Sequence, residues 1–217
     1  MQINHETKIS IRLKDVCLCG TLRLPEAAQS LVIFAHGSGS SRFSPRNRYV
    51  AEKLNDFGLG TLLADLLTPD EEKNDLVTRE LRFDMALLRR RVTGLVDWAD
   101  TNKTTSRLTI GCFGASTGAA GALMAAADRP ESVRAVVSRG GRPDLAGAAL
   151  PRVKAPVLLI VGGRDEPVIE LNRQALTAMS GDHEIKTVPG ASHLFEETGK
   201  LDEVAGLAGN WFIRHLT

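Results

Sequence analysis

Residues 7–13 alternate, with Ile9, Ile11 and Leu13 on one side and the polar Ser10 and Arg12 between them. A similar rhythm resumes over residues 16–24 after Lys14 and Asp15, and Pro25 ends it. Two alternating runs separated by so few residues predict an antiparallel hairpin with a tight turn. Residues 31–35 form a short, wholly apolar run, as in a strand buried on both faces. Residues 46–57 read as a helix, with Pro45 near its start and Gly58 at its end. Residues 59–67 give another strand. The charged stretch 68–74, which contains Pro69, reads as a loop. A long helical pattern runs over 75–101, where Leu76, Val77, Leu81, Leu88, Val92, Leu95 and Val96 fall near helical spacing.

Beyond it, residues 108–113, 133–138, 156–161 and 184–188 read as strands, and 117–127, 169–179 and 201–215 as helices. The Gly/Pro-rich segment 141–151 is the one stretch with the makings of a miniature cap. Buried strands alternating with helices after an opening hairpin predict an α/β fold. Its mostly parallel central sheet carries an N-terminal antiparallel hairpin and helices on both faces. No internal repeat or linker stands out, so one domain over residues 1–217 is expected.

The 217 residues are 43% hydrophobic and 24% charged, which suits a globular protein with a large core. Lys and Arg number 27 against 26 Asp and Glu, a net charge of +1 that argues against a nucleic-acid partner. No apolar run reaches the roughly 18 residues of a membrane span. MQINHETKIS has no apolar leader core. Three cysteines make no disulfide framework, so a reducing, cytoplasmic setting is expected. Cys17 and Cys19 lack further ligands at metal spacing, and they and Cys112 are expected to pack as small apolar residues. Neither a metal nor a cofactor is implied. Periodicity leaves a homodimer open.

The strongest chemical signal is Gly114-Ala115-Ser116-Thr117-Gly118, set directly between a strand and a helix. Flanking glycines permit a sharp turn that lifts the serine hydroxyl above the strand ends. A serine hydroxyl is a weak nucleophile and needs a base. Of five histidines, His5 lies in the N-terminal tail, His215 on the closing helix and His183 at a strand entry. His193, in the loop after the last strand, is the candidate base. Asp165, at the end of the strand over 156–161, is the candidate acid that orients it; Glu166 competes one residue further on. For the oxyanion, the backbone N–H of Thr117 and that of Ser38, in His36-Gly37-Ser38-Gly39-Ser40, are the candidate donors. His36 is expected to hold its loop rather than react. Arg42, Arg46, Arg48, Arg139 and Arg142 flank strand ends and are expected to pair with surface carboxylates rather than meet an acidic substrate. Of Arg89, Arg90 and Arg91, spanning almost a full turn, one must point away from solvent. Trp98, Trp211 and Phe212 are expected in the core.

These motifs, HGSGS, GASTG, GGRDEPV and GASHLF over residues 36–195, resemble those of the α/β-hydrolase superfamily. The short chain, with little room for a lid, resembles its small dienelactone-hydrolase-like esterases. Those enzymes carry a cysteine at the elbow, where this chain has Ser116, and a glutamate in a region where no carboxylate occurs here between Leu31 and Asn47. The resemblance therefore implies a serine hydrolase of small carboxylic esters, with short acyl chains, working through an acyl-enzyme on Ser116, His193 and Asp165. Acyl transfer to another acceptor, cleavage of a lactone, thioester or peptide, and a silent binding role are the alternatives.

Overall fold

The computed structural model describes residues 6–217. Among these residues eight strands form one sheet in the order β1-β2-β4-β3-β5-β6-β7-β8. The opening hairpin pairs β1 (Thr7–Arg12) with β2 (Cys17–Arg23), and Arg12 faces Cys17 at its closed end. β2 also runs antiparallel to β4 (Gly60–Ala64). From there β3 (Ser30–Ala35), β5 (Thr109–Ala115), β6 (Val133–Arg139), β7 (Val157–Gly162) and β8 (His183–Val188) are parallel. Every residue of β3, β4 and β7 is buried, as expected of strands covered on both faces.

Two cores lie on opposite sides of this sheet. One gathers Val50 and Leu54 of α1 (Pro45–Asp56) with Val204, Trp211 and Phe212 of α6 (Lys200–Leu216). The other gathers α3 (Met85–Thr101), α4 (Thr117–Asp128) and α5 (Glu166–Ala178). Eleven of the twelve α4 residues are buried, and its alanines and glycines let it lie close to the sheet. Trp98 packs against the second core.

The long helix expected over 75–101 is two helices, and the expected loop 68–74 is part of the first. α2 (Pro69–Thr78) opens with a capping box: Thr68 Oγ1 accepts from the Glu71 N–H, and Glu71 Oε2 accepts from the Thr68 N–H. Arg79 then adopts a left-handed conformation with φ 57°, and a 3₁₀ turn over Leu81–Phe83 leads into α3. Asp75 drives the break. Buried, it accepts from the Arg82 backbone N–H at 3.1 Å and from Arg82 Nε at 2.6 Å, which folds the chain back on itself. Asp84 restarts the helix by accepting from the Leu87 N–H at 2.9 Å. The segment expected as a cap is a 3₁₀ stretch over Pro143–Arg152 whose Ala146, Ala149 and Leu150 are buried in the second core. Among the described residues no helix is long and apolar enough to cross a membrane.

Candidate active site

β5 and α4 are joined by a single residue, Ser116, held at φ 51° and ψ −123°. A side chain rarely occupies that region, and tight packing over-determines it here. A Cβ on Gly118 would lie 2.1 Å from the Ala35 carbonyl oxygen, and one on Gly114 would lie 2.3 Å from the Ala119 Cα. The elbow glycines thus let α4 press against the ends of β3 and β5. Gly37, at the end of β3, sits against Ser116: its Cβ would come 3.1 Å from that of the serine.

Asp165 follows β7 and His193 follows β8, so both lie at the C-terminal edge of the sheet with Ser116. Their side chains meet: His193 Nδ1 is 2.6 Å from Asp165 Oδ2. A proton on Nδ1 donated to the carboxylate leaves Nε2 as the acceptor. Glu166, the competing acid, is exposed at the start of α5. The two loops are locked backbone to backbone. Arg164 N–H donates to the Ala191 carbonyl at 2.9 Å, and a Cβ on Gly162 would lie 2.4 Å from the Ser192 carbonyl oxygen. Glu197, absent from the motif reading, clamps the histidine loop by accepting the Ser192 N–H at 3.0 and 3.1 Å. That hydrogen bond holds its carboxyl below the ordinary glutamate range. No local pattern marks Glu197, because its role depends on a turn closed by Phe195 at φ 57°.

Ser116 and His193 line one cavity of about 130 Å³, together with Gly37, Ser38, Arg46, Asn47 and Arg139 among others. Thr117 begins α4, so its N–H has no partner within the helix. Ser38 is differently placed. Its N–H donates to Thr117 Oγ1 at 2.9 Å, while its hydroxyl bonds Thr117 Oγ1 at 2.8 Å and the Arg82 carbonyl at 3.2 Å. The expected second oxyanion donor is therefore engaged in this conformation.

His36 holds structure, as its position suggests. Buried, its Nδ1 bonds the Gly37 carbonyl at 2.9 Å and its Nε2 accepts the Leu66 N–H at 3.1 Å. Burial lowers its pKa, while the Gly37 carbonyl opposes that shift. Four of the flanking arginines pair as expected: Arg42 with Asp65, Arg46 with Glu196, Arg48 with Glu6 and Arg142 with Asp144. Arg139 departs from that expectation: its side chain bonds the neutral Asn47. Of the arginine triplet, Arg91 is the one turned inward, bonded to Glu71 at 2.6 Å. Cys112 is buried, and burial pushes its thiol up to about 12. Cys17 and Cys19 are instead exposed: they occupy the solvent-facing positions of β2, while Leu18 between them fills the core. No group of three or more metal-ligating side chains occurs among the described residues. His5 lies outside them.

A model of the dienelactone hydrolase family matches residues 19–209. The chain belongs to the dienelactone hydrolase family. It is similar to a crystal structure of dienelactone hydrolase from Anabaena variabilis, with 57% identity, a TM-score of 0.97 and coverage of 98% of this chain and 99% of that one. An α/β serine hydrolase homologue from Coxiella burnetii, at 19% identity and a TM-score of 0.77, shares the fold over 97% of this chain and 98% of that one. Est1E from Butyrivibrio proteoclasticus does so at 18% identity and a TM-score of 0.78, over 95% and 98% of the two chains. Among curated proteins, the chain is 54% identical over 212 residues to a Mycobacterium tuberculosis protein named "Putative phosphoribosyl transferase". The match covers 98% of this chain and 47% of that protein, so the chain spans about half the length of this relative.

Proposed function

We propose that this member of the family is a serine hydrolase of small carboxylic esters. The observation that carries the reading is the Asp165–His193 hydrogen bond of 2.6 Å beside a cavity that His193 shares with Ser116. In the proposed reaction, His193 Nε2 takes the proton of Ser116 as its oxygen attacks the ester carbonyl. Asp165 stabilises the resulting imidazolium without taking its proton. The Thr117 N–H donates to the tetrahedral oxyanion; Ser38 N–H joins it when the Thr117 hydroxyl rotates away. His193 then protonates the departing alcohol, leaving an acyl-Ser116. Water, deprotonated by His193, attacks the acyl carbon and regenerates the serine. A cavity of about 130 Å³ supports a short acyl group.

Exposure to a fluorophosphonate, followed by intact mass and peptide mapping, tests the nucleophile. A single adduct on Ser116, absent from Ser116→Ala, is expected, with hydrolysis across a short-chain ester panel. A folded protein that neither labels nor turns over any ester would overturn the reading. Competing alcohols and amines in the same assay reveal acyl transfer as new products.

A further inference from the structure

Arg139 is the last residue of β6 and the lateral neighbour of Ala115, the residue before the serine. It is 6% exposed and lines the cavity that holds Ser116 and His193. A guanidinium stays cationic in a protein, and a buried one without a counter-charge is strongly disfavoured unless something offsets it. Burial, followed by repulsion from Arg46, lowers the Arg139 pKa to about 10, which leaves it charged at neutral pH. Its one side-chain partner among the described residues is neutral: Nη2 donates to Asn47 Oδ1 at 3.0 Å. Its Nε is buried with no acceptor among them.

The surroundings sharpen the imbalance. Arg46, on α1, lines the same cavity, and its own Nε is also buried without a partner among the described residues. Its Nη1 is drawn to Glu196, a carboxylate on the surface at 2.9 Å. Asn47, on the same helix, also lines the cavity and commits its oxygen to Arg139. Among the described residues no Asp or Glu lines that cavity. Positive charge and N–H donors thus converge, from β6 and α1, beside the nucleophile.

We infer that Arg139, with Asn47 and Arg46, is a specificity site for an oxyanion group, carboxylate or phosphate, carried by the substrate close to its scissile carbonyl. Guanidinium forks match both anions, and a hydrogen bond to an ionised partner is roughly twice as strong as a neutral one. This rests on the ester-hydrolase reading for its chemistry, though not for the binding itself.

Two measurements test it. The first compares kcat/KM for the 4-nitrophenyl monoester of glutarate with that for 4-nitrophenyl pentanoate, which differs by carrying methyl in place of carboxylate. The charged ester is expected to be preferred. In Arg139→Met the ratio of the two should fall on the order of 10- to 100-fold, with a smaller fall in Arg46→Gln. The second titrates glutarate and, separately, inorganic phosphate into Ser116→Ala by calorimetry. Binding of at least one is expected, and which one identifies the anion. Loss of binding when Arg139→Met is added supports the site.

No binding of either anion to Ser116→Ala, or anion binding undiminished by Arg139→Met, overturns the inference; so does glutarate binding accompanied by a wild-type ratio near or below one or by an equal effect of Arg139→Met on both esters. Should Arg139→Met fail to fold by circular dichroism, Arg46→Gln, at a half-exposed position, carries the ratio test. Anion binding without turnover of any ester would sink the hydrolase reading and leave the anion site standing.

Discussion

Ser116 is held in a backbone region that costs a side chain roughly 1–3 kcal/mol. Replacing it tests how much of that strain the fold stores. Ser116→Gly relieves the strain, while Ser116→Ala keeps it, so the glycine variant is expected to be the more stable of the two. The gain should be about 1 kcal/mol, because added freedom in the unfolded chain offsets part of the relief. For a domain of this size that is a rise in Tm of about 2–4 °C, read by thermal unfolding. Equal melting of the two variants would mean that the turn carries no such strain. His36 makes a second prediction. Its folded pKa lies below the unfolded value of 6.5 because burial disfavours the imidazolium. Below about pH 6.5 the unfolded chain gains a proton that the folded one refuses, so stability falls as pH drops until the folded pKa is reached, then levels. Urea midpoints measured from pH 7.5 to 5.5 should therefore decline less steeply in His36→Gln than in the wild type.

Between elements, the decisive contact is the approach of α4 to the end of β3. A Cβ on Gly118 would meet the Ala35 and His36 carbonyl oxygens at 2.1 and 2.5 Å, both immobile backbone atoms. Gly118→Ala should cost about 1–3 kcal/mol and slow fluorophosphonate labelling, since pushing α4 outward displaces Ser116 with it. Gly206→Ala is the control: a Cβ there meets nothing within 4 Å, and α6 should gain about 0.5–1 kcal/mol. The elements also show where local pattern falls short. Thr68 and Glu71 carry a capping box that a charged, proline-containing stretch hides when read by composition alone. Helical spacing runs on through Leu76, Val77 and Leu81, yet Asp75 reaches Arg82 seven residues later and stops it. Leu76 and Val77 end up exposed. Periodicity reports which faces are apolar; it does not report a side-chain ion pair that outweighs one helical turn.

At the scale of the molecule, two cores share one sheet, and each holds one tryptophan: Trp98 beside the α3–α4 side and Trp211 inside the α1–α6 side. If the chain is the single domain its sequence implies, the two cores must melt together, because β3, β4, β5, β6 and β7 each contribute to both. Single-tryptophan proteins made by Trp98→Phe and Trp211→Phe should then give coincident fluorescence midpoints in urea, matching far-ultraviolet circular dichroism. Separate midpoints would divide the chain into independent units. The same sheet explains why Ser116, Asp165 and His193 converge although 77 positions separate the first from the last. Parallel strands deliver successive loops to one edge, so residues at strand ends become neighbours across the sheet.

The strand runs, their alternation with helices and the candidates Ser116 and His193, with Asp165 or Glu166 as the acid, are legible in the sequence by itself, because each leaves a local trace. Wholly apolar runs mark strands covered on both faces, and G-x-S-x-G marks a turn that only small flanking residues allow. Three-dimensional packing alone decided the rest. It brought Asp165 rather than Glu166 to His193, engaged the Ser38 N–H with Thr117, and recruited Glu197 to the histidine loop. It also left Arg139, among the arginines that flank strand ends, facing an amide 92 residues away instead of a carboxylate. A charge pattern along a chain cannot say which charges will be buried or what will face them there. That depends on the distances that the folded sheet imposes between residues far apart in sequence.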